Sequence, residues 1–478
     1  MFWQKTLFER LELDSLVKKR IVLDKYGLSK DERFKDYVEK QGLACYFTDN
    51  IDEIVENFGN YSVFFVYNLR ESQLPYHIKS KTKVILLDSR LCFCKIDNAV
   101  EKGLGKDKLK KILTYTLSEG KFLYINESNA GEILQKAEEI YFKNRVDTLK
   151  KELENIFKMD SIEKQHIFKA AELYSNLIWC FFKLKTPPPK KFLTDADEMI
   201  RRFILSEGYK DSFLGLCNTI NRIVHEIKKK KLDKIALICF DGMGIIEWNV
   251  LKEYFNKHDV KVMREGFIFT LIPTATFNCR SSLFSGKVEE CYRGIDENKE
   301  FIGAFSDVYK TYILKPGKII GEFFDDKSAV KIVYNFFDDN SHAYVFSNYE
   351  ESKNIFLENL ARQIDVSNIA DEIIYLLKQG FKIFISSDHG CVVSKGNGIR
   401  VDKYLIEEKC GRGVLAKDSI LIDKYKDMAT ILDLPFVSNL KAIVAKDREA
   451  FYTKDKLEIT HGGISIEEII VPLIEVNI

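Results

Sequence analysis

Short apolar runs alternate with polar, helix-compatible segments from the beginning of the chain. RIVLD at 20–24 is followed by ACYFT at 44–48, SVFFVYN at 62–68 and KVILLD at 83–88. Apolar runs separated in this way are typical of parallel strands joined by crossover helices. The pattern therefore predicts a small α/β domain over residues 1–128.

The middle of the chain has the periodicity of helices. Between residue 129 and the lysine run at 228–231 the pattern is mainly helical, and TPPPKK at 186–191 must break a helix. We interpret residues 129–231 as a helical connector. The lysine run could bind phosphate, but at the end of a helix it is more typical of a solvated terminus.

Continuous apolar strands return at residue 232, and a polar residue capable of chemistry follows each of them. This pattern predicts a third domain, again α/β, over residues 232–478. In open parallel sheets the carboxyl ends of the strands meet at one edge, so these residues are expected in a single cleft. They are Asp241, Thr276, Asp338, His342, Asp388, His389 and His461.

The residue types in this set are those that bind metal ions together. Three of the seven histidines of the chain belong to it. Imidazoles beside carboxylates suit zinc or manganese, whereas oxygen ligands alone would suit magnesium or calcium. Each residue taken singly is explained by a turn or a helix cap, and Asp338 with its neighbours reads as a solvated turn. The joint pattern predicts a dinuclear metal site.

The composition of the chain excludes several classes of protein. The chain has 478 residues, 46% of them hydrophobic and 30% charged, with a formal net charge of +1. Such a chain is globular, is too long for one core, and has no overall charge that would attract nucleic acid or membrane. The first residues do not resemble a signal peptide, and no apolar run approaches 18 residues. We expect a cytoplasmic protein whose ten cysteines are reduced.

The order of the candidate residues, with the motifs NFFDDNSHA, SDHG and HGGISIEEIIVPLI, resembles the alkaline phosphatase superfamily and in particular its PglZ branch. The resemblance is strong over 232–478. It is weaker over 20–68, which is similar to the N-terminal segment of PglZ proteins from phage-defence (BREX and phage growth limitation) operons. It implies an alkaline-phosphatase-like sheet with flanking helices.

The resemblance also implies a role for each residue. Asp338, His342 and His461 would hold one divalent ion, and Asp241, Asp388 and His389 the other. Zinc is the first choice, with manganese or magnesium as the alternatives. Thr276 would be the nucleophile and a ligand of the second ion; Thr274 is the rival, but the spacing of Thr276 to Gly286 fits the family pattern. Asp339 is only a neighbour.

Arg280 follows Thr276 by four residues, in a segment that reads as the start of a helix, where free N–H groups favour an anion. It could face the phosphoryl oxygens or be a surface residue of the first helical turns. A sulfatase is excluded because Thr276 cannot become formylglycine. A phosphomutase is disfavoured because the gaps between the motifs are too short for a large cap domain.

The resemblance implies a metal-dependent phosphatase or phosphodiesterase. Its substrate would be a phosphate ester, with nucleotides and nucleic acid among the candidates, and its partners would be other phage-defence proteins rather than a membrane. The alternative is a scaffold or regulatory subunit whose metals are structural. The N-terminal domain is expected to serve recognition; acids after its strands, such as Asp24, resemble those of receiver domains, but a clear acid cluster is missing.

Overall fold

A computed structural model describes residues 3–14, 18–206, 208–214, 218–289, 294–343, 349–399, 401, 408–417, 419–434 and 437–477. The chain forms two compact units, Met1–Arg145 and Val146–Ile478. Each unit is treated separately below. Among the described residues, no helix combines the length and the apolar character needed to cross a membrane.

The first unit is built on a parallel sheet of four strands in the order β2-β3-β1-β4. The next two strands in the sequence, β5 and β6, form a separate parallel pair. All four apolar runs of this region contribute to the larger sheet, which confirms the α/β prediction. The strands are β1 Lys19–Asp24, β2 Cys45–Thr48, β3 Val63–Val66, β4 Thr82–Leu87, β5 Cys94–Ile96 and β6 Leu123–Ile125. The helices are α1 Trp3–Arg10, α2 Glu32–Lys40, α3 Ile51–Asn57, α4 Tyr76–Lys79, α5 Asn98–Gly103 and α6 Lys106–Glu119.

The central strands β1 and β3 are buried on both faces. Neighbouring residues of a strand point to opposite sides of the sheet. Val22 packs in one core and Ile21 in the other. The Asp24 carboxylate accepts hydrogen bonds from the N–H groups of Tyr26, Gly27 and Ser29 and from the Ser29 hydroxyl. Its contacts therefore shape the turn after β1, and the described part of this unit contains no metal-type cluster of acids and histidines.

A run of helices leads into the second unit. They are α7 Ala130–Phe157, α8 Lys164–Lys183, α9 Lys190–Leu205, α10 Gly208–Leu214 and α11 Ile223–Lys229. The break between α8 and α9 contains the three prolines of TPPPKK, and Pro189 is the residue before the first turn of α9. Proline lacks the N–H that a helix interior needs but is tolerated at a helix start, which explains the position of the break.

The second unit contains a six-stranded sheet in the order β8-β19-β11-β7-β10-β9. Its strands are β7 Lys234–Phe240, β8 Lys261–Phe269, β9 Lys310–Leu314, β10 Ser328–Tyr334, β11 Lys382–Ser386 and β19 Ile470–Asn477. Strands β11, β7, β10 and β9 are parallel neighbours, whereas β19 is antiparallel to both β8 and β11. Consequently β8 runs in the same direction as β11, and the carboxyl ends of five strands share one edge.

Helices flank this sheet: α12 Glu247–Lys257, α13 Thr276–Ser285, α14 Glu297–Phe305, α15 Phe336–Ala343, α16 Tyr349–Asp365 and α17 Ile369–Lys378. On one face, Leu237 and Cys239 of β7 pack with residues of α11, α13 and α14 in a single core. Successive residues of β7, which point to opposite faces of the sheet, are buried from Ile235 to Phe240. Burial on both faces accounts for the continuous apolar strands in the sequence. The predicted α/β class of the C-terminal half is confirmed.

The stretch between His389 and His461 forms two smaller sheets, with strand orders β17-β12-β18 and β13-β14-β16-β15. Its elements are β12 Val392–Gly396, β13 Glu408–Lys409, β14 Gly413–Ala416, α18 Ser419–Tyr425, β15 Ala429–Leu434, β16 Val437–Ala445, β17 Glu449–Ala450 and β18 Leu457–Thr460, and α19 Ile466–Ile469 follows His461. The run KLEIT at 456–460 precedes His461 and is therefore one of the strands that the sequence predicts to end at the common edge of the sheet. Instead it forms β18, which pairs with β12 and lies outside the main sheet.

Candidate metal centre

Three neighbouring strands of the main sheet deliver acids and a histidine to the same edge. Asp241 follows β7, Asp338 lies in the first turn of α15 after β10, and Asp388 and His389 follow β11. Gly242 allows the turn after Asp241, with φ of 78°, and a β-carbon there would lie 3.2 Å from the Asp338 nitrogen. The Asp338 N–H donates to the carbonyl oxygen of Asp241 at 3.1 Å, which fixes the two loops together.

The first cluster contains Asp241, Asp388 and His389, all buried, with one ligand atom each within 4.8 Å of the others. Nε2 of His389 lies 3.7 Å from Oδ1 of Asp241 and 3.9 Å from Oδ2 of Asp388. Both of these oxygens are buried and accept no hydrogen bond from any described residue. Buried carboxylate oxygens normally have partners, so a cation is the natural partner here.

The electrostatics of this cluster support the same interpretation. Burial, and next the charge of Asp388, raise the pKa of Asp241 to about 10, although Arg280 lowers it. The nearby charge of Asp388 makes ionisation of Asp241 unfavourable unless a positive charge compensates it. The residues of the first cluster therefore fit a divalent cation.

The second cluster contains Asp338, His389 and His461. Nε2 of His461 lies 3.9 Å from Oδ1 of Asp338, and its Nδ1 lies 2.9 Å from the carbonyl oxygen of Thr274. The rings of His389 and His461 stack, with centroids 3.9 Å apart. His389 thus lies within reach of both clusters. The side chain of His342, the other ligand expected from the sequence, lies outside the described residues, so that ligand stays a prediction.

The two candidate threonines have different surroundings. Thr276 is the first residue of α13, and its Oγ1 lies 3.0 Å from Nε2 of His389. The hydroxyl of Thr274 is buried, donates to the carbonyl oxygen of Gly463 and accepts from the N–H of Gly462, both at 3.0 Å. Thr274 therefore holds the loop after His461, and Thr276 faces the cluster.

Arg280 lies one turn after Thr276 and forms an ion pair inside the site. Its Nη1 lies 2.5 Å from Oδ2 of Asp241, and its Nε lies 2.7 Å from Oε2 of Glu297. Glu297 in turn pairs with buried Lys331 at 3.0 Å. Of the two roles expected for Arg280, a place on the open helix surface does not fit these contacts. Glu297 and Lys331 were missed by the sequence reasoning.

Further residues around His461 were also missed. The segment CGRG at 410–413 packs against the loop that follows His461, and Gly413 has no room for a β-carbon, which would lie 2.2 Å from the carbonyl oxygen of Gly462. Arg412 pairs with Glu468, and both are buried. Two signals in the sequence could have revealed these residues: an arginine between two glycines, and two acids in the otherwise apolar ISIEEIIVPLI.

Comparison with protein families matches residues 219–476 to the BREX system PglZ alkaline phosphatase-like domain. No curated protein matches the chain. Among solved structures, murine ectonucleotide pyrophosphatase/phosphodiesterase 5 is similar, with 13% identity over 51% of this chain and 88% of that one and a TM-score of 0.35. The human counterpart has 12% identity, coverage of 51% and 87% and a TM-score of 0.34. Phosphonoacetate hydrolase from Sinorhizobium meliloti 1021 has 12% identity, coverage of 51% and 89% and a TM-score of 0.30.

Proposed function

This chain belongs to the PglZ family of BREX alkaline phosphatase-like domains, and from that premise we propose that it is a metal-dependent hydrolase of phosphate esters. One observation carries the proposal. The Thr276 hydroxyl lies 3.0 Å from Nε2 of His389, and this nitrogen lies within 3.9 Å of two buried carboxylate oxygens that accept no hydrogen bond from the described residues. A hydroxyl next to carboxylates and a histidine that fit a divalent cation is the arrangement that phosphoryl transfer to a protein nucleophile requires.

The proposed site holds two divalent ions. Asp241, Asp388 and His389 would hold one together with Thr276, and Asp338, His461 and His342 the other, with zinc as the first choice and manganese or magnesium as alternatives. When bound, the ions would supply positive charge that lowers the pKa of the nucleophile and offsets the charge of the phosphoryl group.

The residues of the chain then have distinct tasks. Thr276 Oγ1 would form a bond to phosphorus while the bond from phosphorus to the leaving oxygen breaks, and water would later cleave the phosphothreonine ester. The free N–H groups at the start of α13 favour the anionic phosphoryl group. Arg280, held by Glu297, adds positive charge one turn away from Thr276.

We infer a phosphate ester as substrate, with nucleotides and nucleic acid among the candidates, and a role in phage defence together with other proteins of such a system. The competing proposal is a scaffold or regulatory subunit in which the ions only stiffen the fold. The site supports the hydrolase better, because Thr276, whose hydroxyl faces His389, is not needed for a purely structural metal site.

The decisive experiment compares wild type, Thr276→Ala and Thr276→Ser on an aryl phosphate monoester and diester, with metal content measured by elemental analysis in each. Alanine should reduce turnover by roughly 100-fold or more, since the nucleophile is lost, while serine keeps part of the activity. Thr194→Ala, at a threonine of α9 whose exposed hydroxyl donates to the carbonyl oxygen of Lys190, is the control for a threonine-to-alanine change away from the site. Equal rates in wild type and the alanine variant would exclude Thr276 as nucleophile, and a metal-loaded but inactive wild type would favour the scaffold.

A further inference from the structure

Arg412 is a buried arginine whose main chain and side chain both contact the loop that carries His461. It lies in the turn between β13 and β14, and only 1% of its surface is exposed. Its backbone N–H donates to the carbonyl oxygen of His461 at 3.0 Å. The histidine is thus fixed at its own carbonyl group by a residue 49 positions earlier in the sequence.

The guanidinium group reaches the same loop through Glu468. Nη1 of Arg412 pairs with the Glu468 carboxylate. That carboxylate accepts the N–H of Gly463 at 2.8 Å, the N–H of Ser465 at 3.0 Å and the hydroxyl of Ser465 at 2.6 Å. The remaining donors of Arg412 bind the carbonyl oxygens of Glu449, at 2.8 Å, and of Asp447. The loop after His461 is therefore tied to the smaller sheets through one arginine–carboxylate pair.

The loop packs closely against this pair. A β-carbon on Gly463 would lie 2.8 Å from Cζ of Arg412, and one on Gly462 would lie 2.8 Å from the nitrogen of Gly413. The imidazole ring is oriented separately, because Nδ1 of His461 faces the carbonyl oxygen of Thr274 and leaves Nε2 facing Asp338. A shift of the loop would move this Nε2 relative to Asp338.

We propose that Arg412 and Glu468 are positioning residues that hold Nε2 of His461 in place for the ion shared with Asp338. This inference rests on the proposed function, since it concerns the same site. We expect a larger effect on this ion than on the other, because Arg412 contacts the His461 loop directly, whereas Asp241 and Asp388 follow strands of the main sheet. His389, whose ring stacks on that of His461, is the residue that links the two clusters. A pair that served only general stability would have no such selectivity.

The experiment titrates zinc into the metal-free full-length protein by calorimetry, for wild type, Arg412→Lys and Glu468→Gln. Arg412→Lys keeps the positive charge but loses the planar guanidinium group that can donate two parallel hydrogen bonds. Glu468→Gln keeps the shape of the side chain but loses its negative charge. Outer residues that orient metal ligands typically change metal affinity by about 10–100-fold. We expect one of two zinc sites to weaken by about this factor and the other to stay within about twofold. Arg33→Lys, which disturbs an Asp31 pair in the first unit, is the matched control.

Each outcome decides the question. Folded variants in which both sites keep wild-type affinity, or in which both weaken equally, would overturn the inference. If Arg412→Lys does not fold, as judged by circular dichroism and thermal unfolding, Glu468→Gln decides by the same criterion. Zinc binding at two sites with selective loss in the variants, but no turnover by wild type, would leave the inference standing and overturn the proposed hydrolase. If wild type binds no zinc, the titration is repeated with manganese and magnesium, and binding of none of the three ions would overturn both.

Discussion

At the scale of single residues, Asp241 determines the electrostatic state of the candidate site. It is buried beside Asp388, and Arg280 provides only partial compensation, so its pKa rises to about 10. In the metal-free protein this carboxyl group therefore holds its proton to higher pH than an exposed aspartic acid does. Binding of a cation would then have to release that proton, because metal ligands must be deprotonated.

The raised pKa of Asp241 predicts a pH dependence of stability. Between its ordinary value of 3.8 and about 10, the folded protein binds more protons at this residue than the unfolded chain, so stability falls as pH rises. In the presence of a chelator, urea unfolding between pH 5 and pH 8 should show a contribution of up to about 1.4 kcal/mol per pH unit. Asp241→Asn, neutral at every pH, should lack this contribution. Identical slopes for both proteins would contradict the assigned pKa.

At the scale of elements, Gly390 allows the loop after β11 to pack closely against α19. A β-carbon on Gly390 would lie 1.9 Å from the carbonyl oxygen of Glu467 and 2.8 Å from Cα of Gly244. The Glu467 side chain is buried with Lys353 and Arg448; burial alone would raise its pKa, but these two cations lower it to about 2. The backbone that carries Asp388 and His389 is therefore packed against a rigid charged cluster.

Gly390→Ala should destabilise the protein by about 1–3 kcal/mol or more, because the added methyl group collides with backbone that cannot move. The matched control is Gly303→Ala, at an exposed position inside α14 where a β-carbon meets nothing within 4 Å. There alanine should stabilise by about 0.5–1 kcal/mol through its higher helix propensity. Chemical denaturation of both variants measures the difference. Equal stabilities would show that the loop can adapt.

The sequence predicted those strands and site residues that depend only on neighbouring residues in the chain. The apolar runs of β1, β7 and β11 are visible in the sequence, as is the placement of Asp241 and Asp388 directly after them. The apolar run that forms β18 resembles those of the main-sheet strands in sequence, but it pairs with β12. A run of apolar residues predicts a strand without specifying its partner strand. Arg412 could not be connected with His461, because only the folded chain brings residues so distant in sequence into contact.

At the scale of the whole molecule, every described candidate ligand belongs to the unit Val146–Ile478. The sequence placed the first boundary at residue 128, and the three-part division stays a prediction. Cutting at residue 128 leaves α7, which begins at Ala130, whole, but it removes the core of the first unit against which Ala137 of this helix packs. The first unit contains no comparable cluster among its described residues.

Removing residues 1–128 should therefore leave turnover of a small aryl phosphate ester within about threefold of the full-length rate, which corresponds to less than about 0.7 kcal/mol in the activation free energy. Zinc stoichiometry should also be unchanged, while association with partner proteins should weaken. Steady-state kinetics measures turnover, elemental analysis measures zinc stoichiometry, and co-purification measures association with partner proteins. Loss of zinc from a folded truncated protein would show that the site depends on the first unit.

The position of β19 between β8 and β11 has a consequence for the kinetics of folding. Its pairing joins Ile470 to Phe269, about 200 residues apart in sequence. Contacts between such distant segments form slowly, since a long loop must close before they are gained. Until β19 is in place, β8 and β11 each present an open edge to which another chain could add. We therefore expect slow refolding that competes with aggregation, and the His461 loop to reach Asp338 only after this last strand has docked.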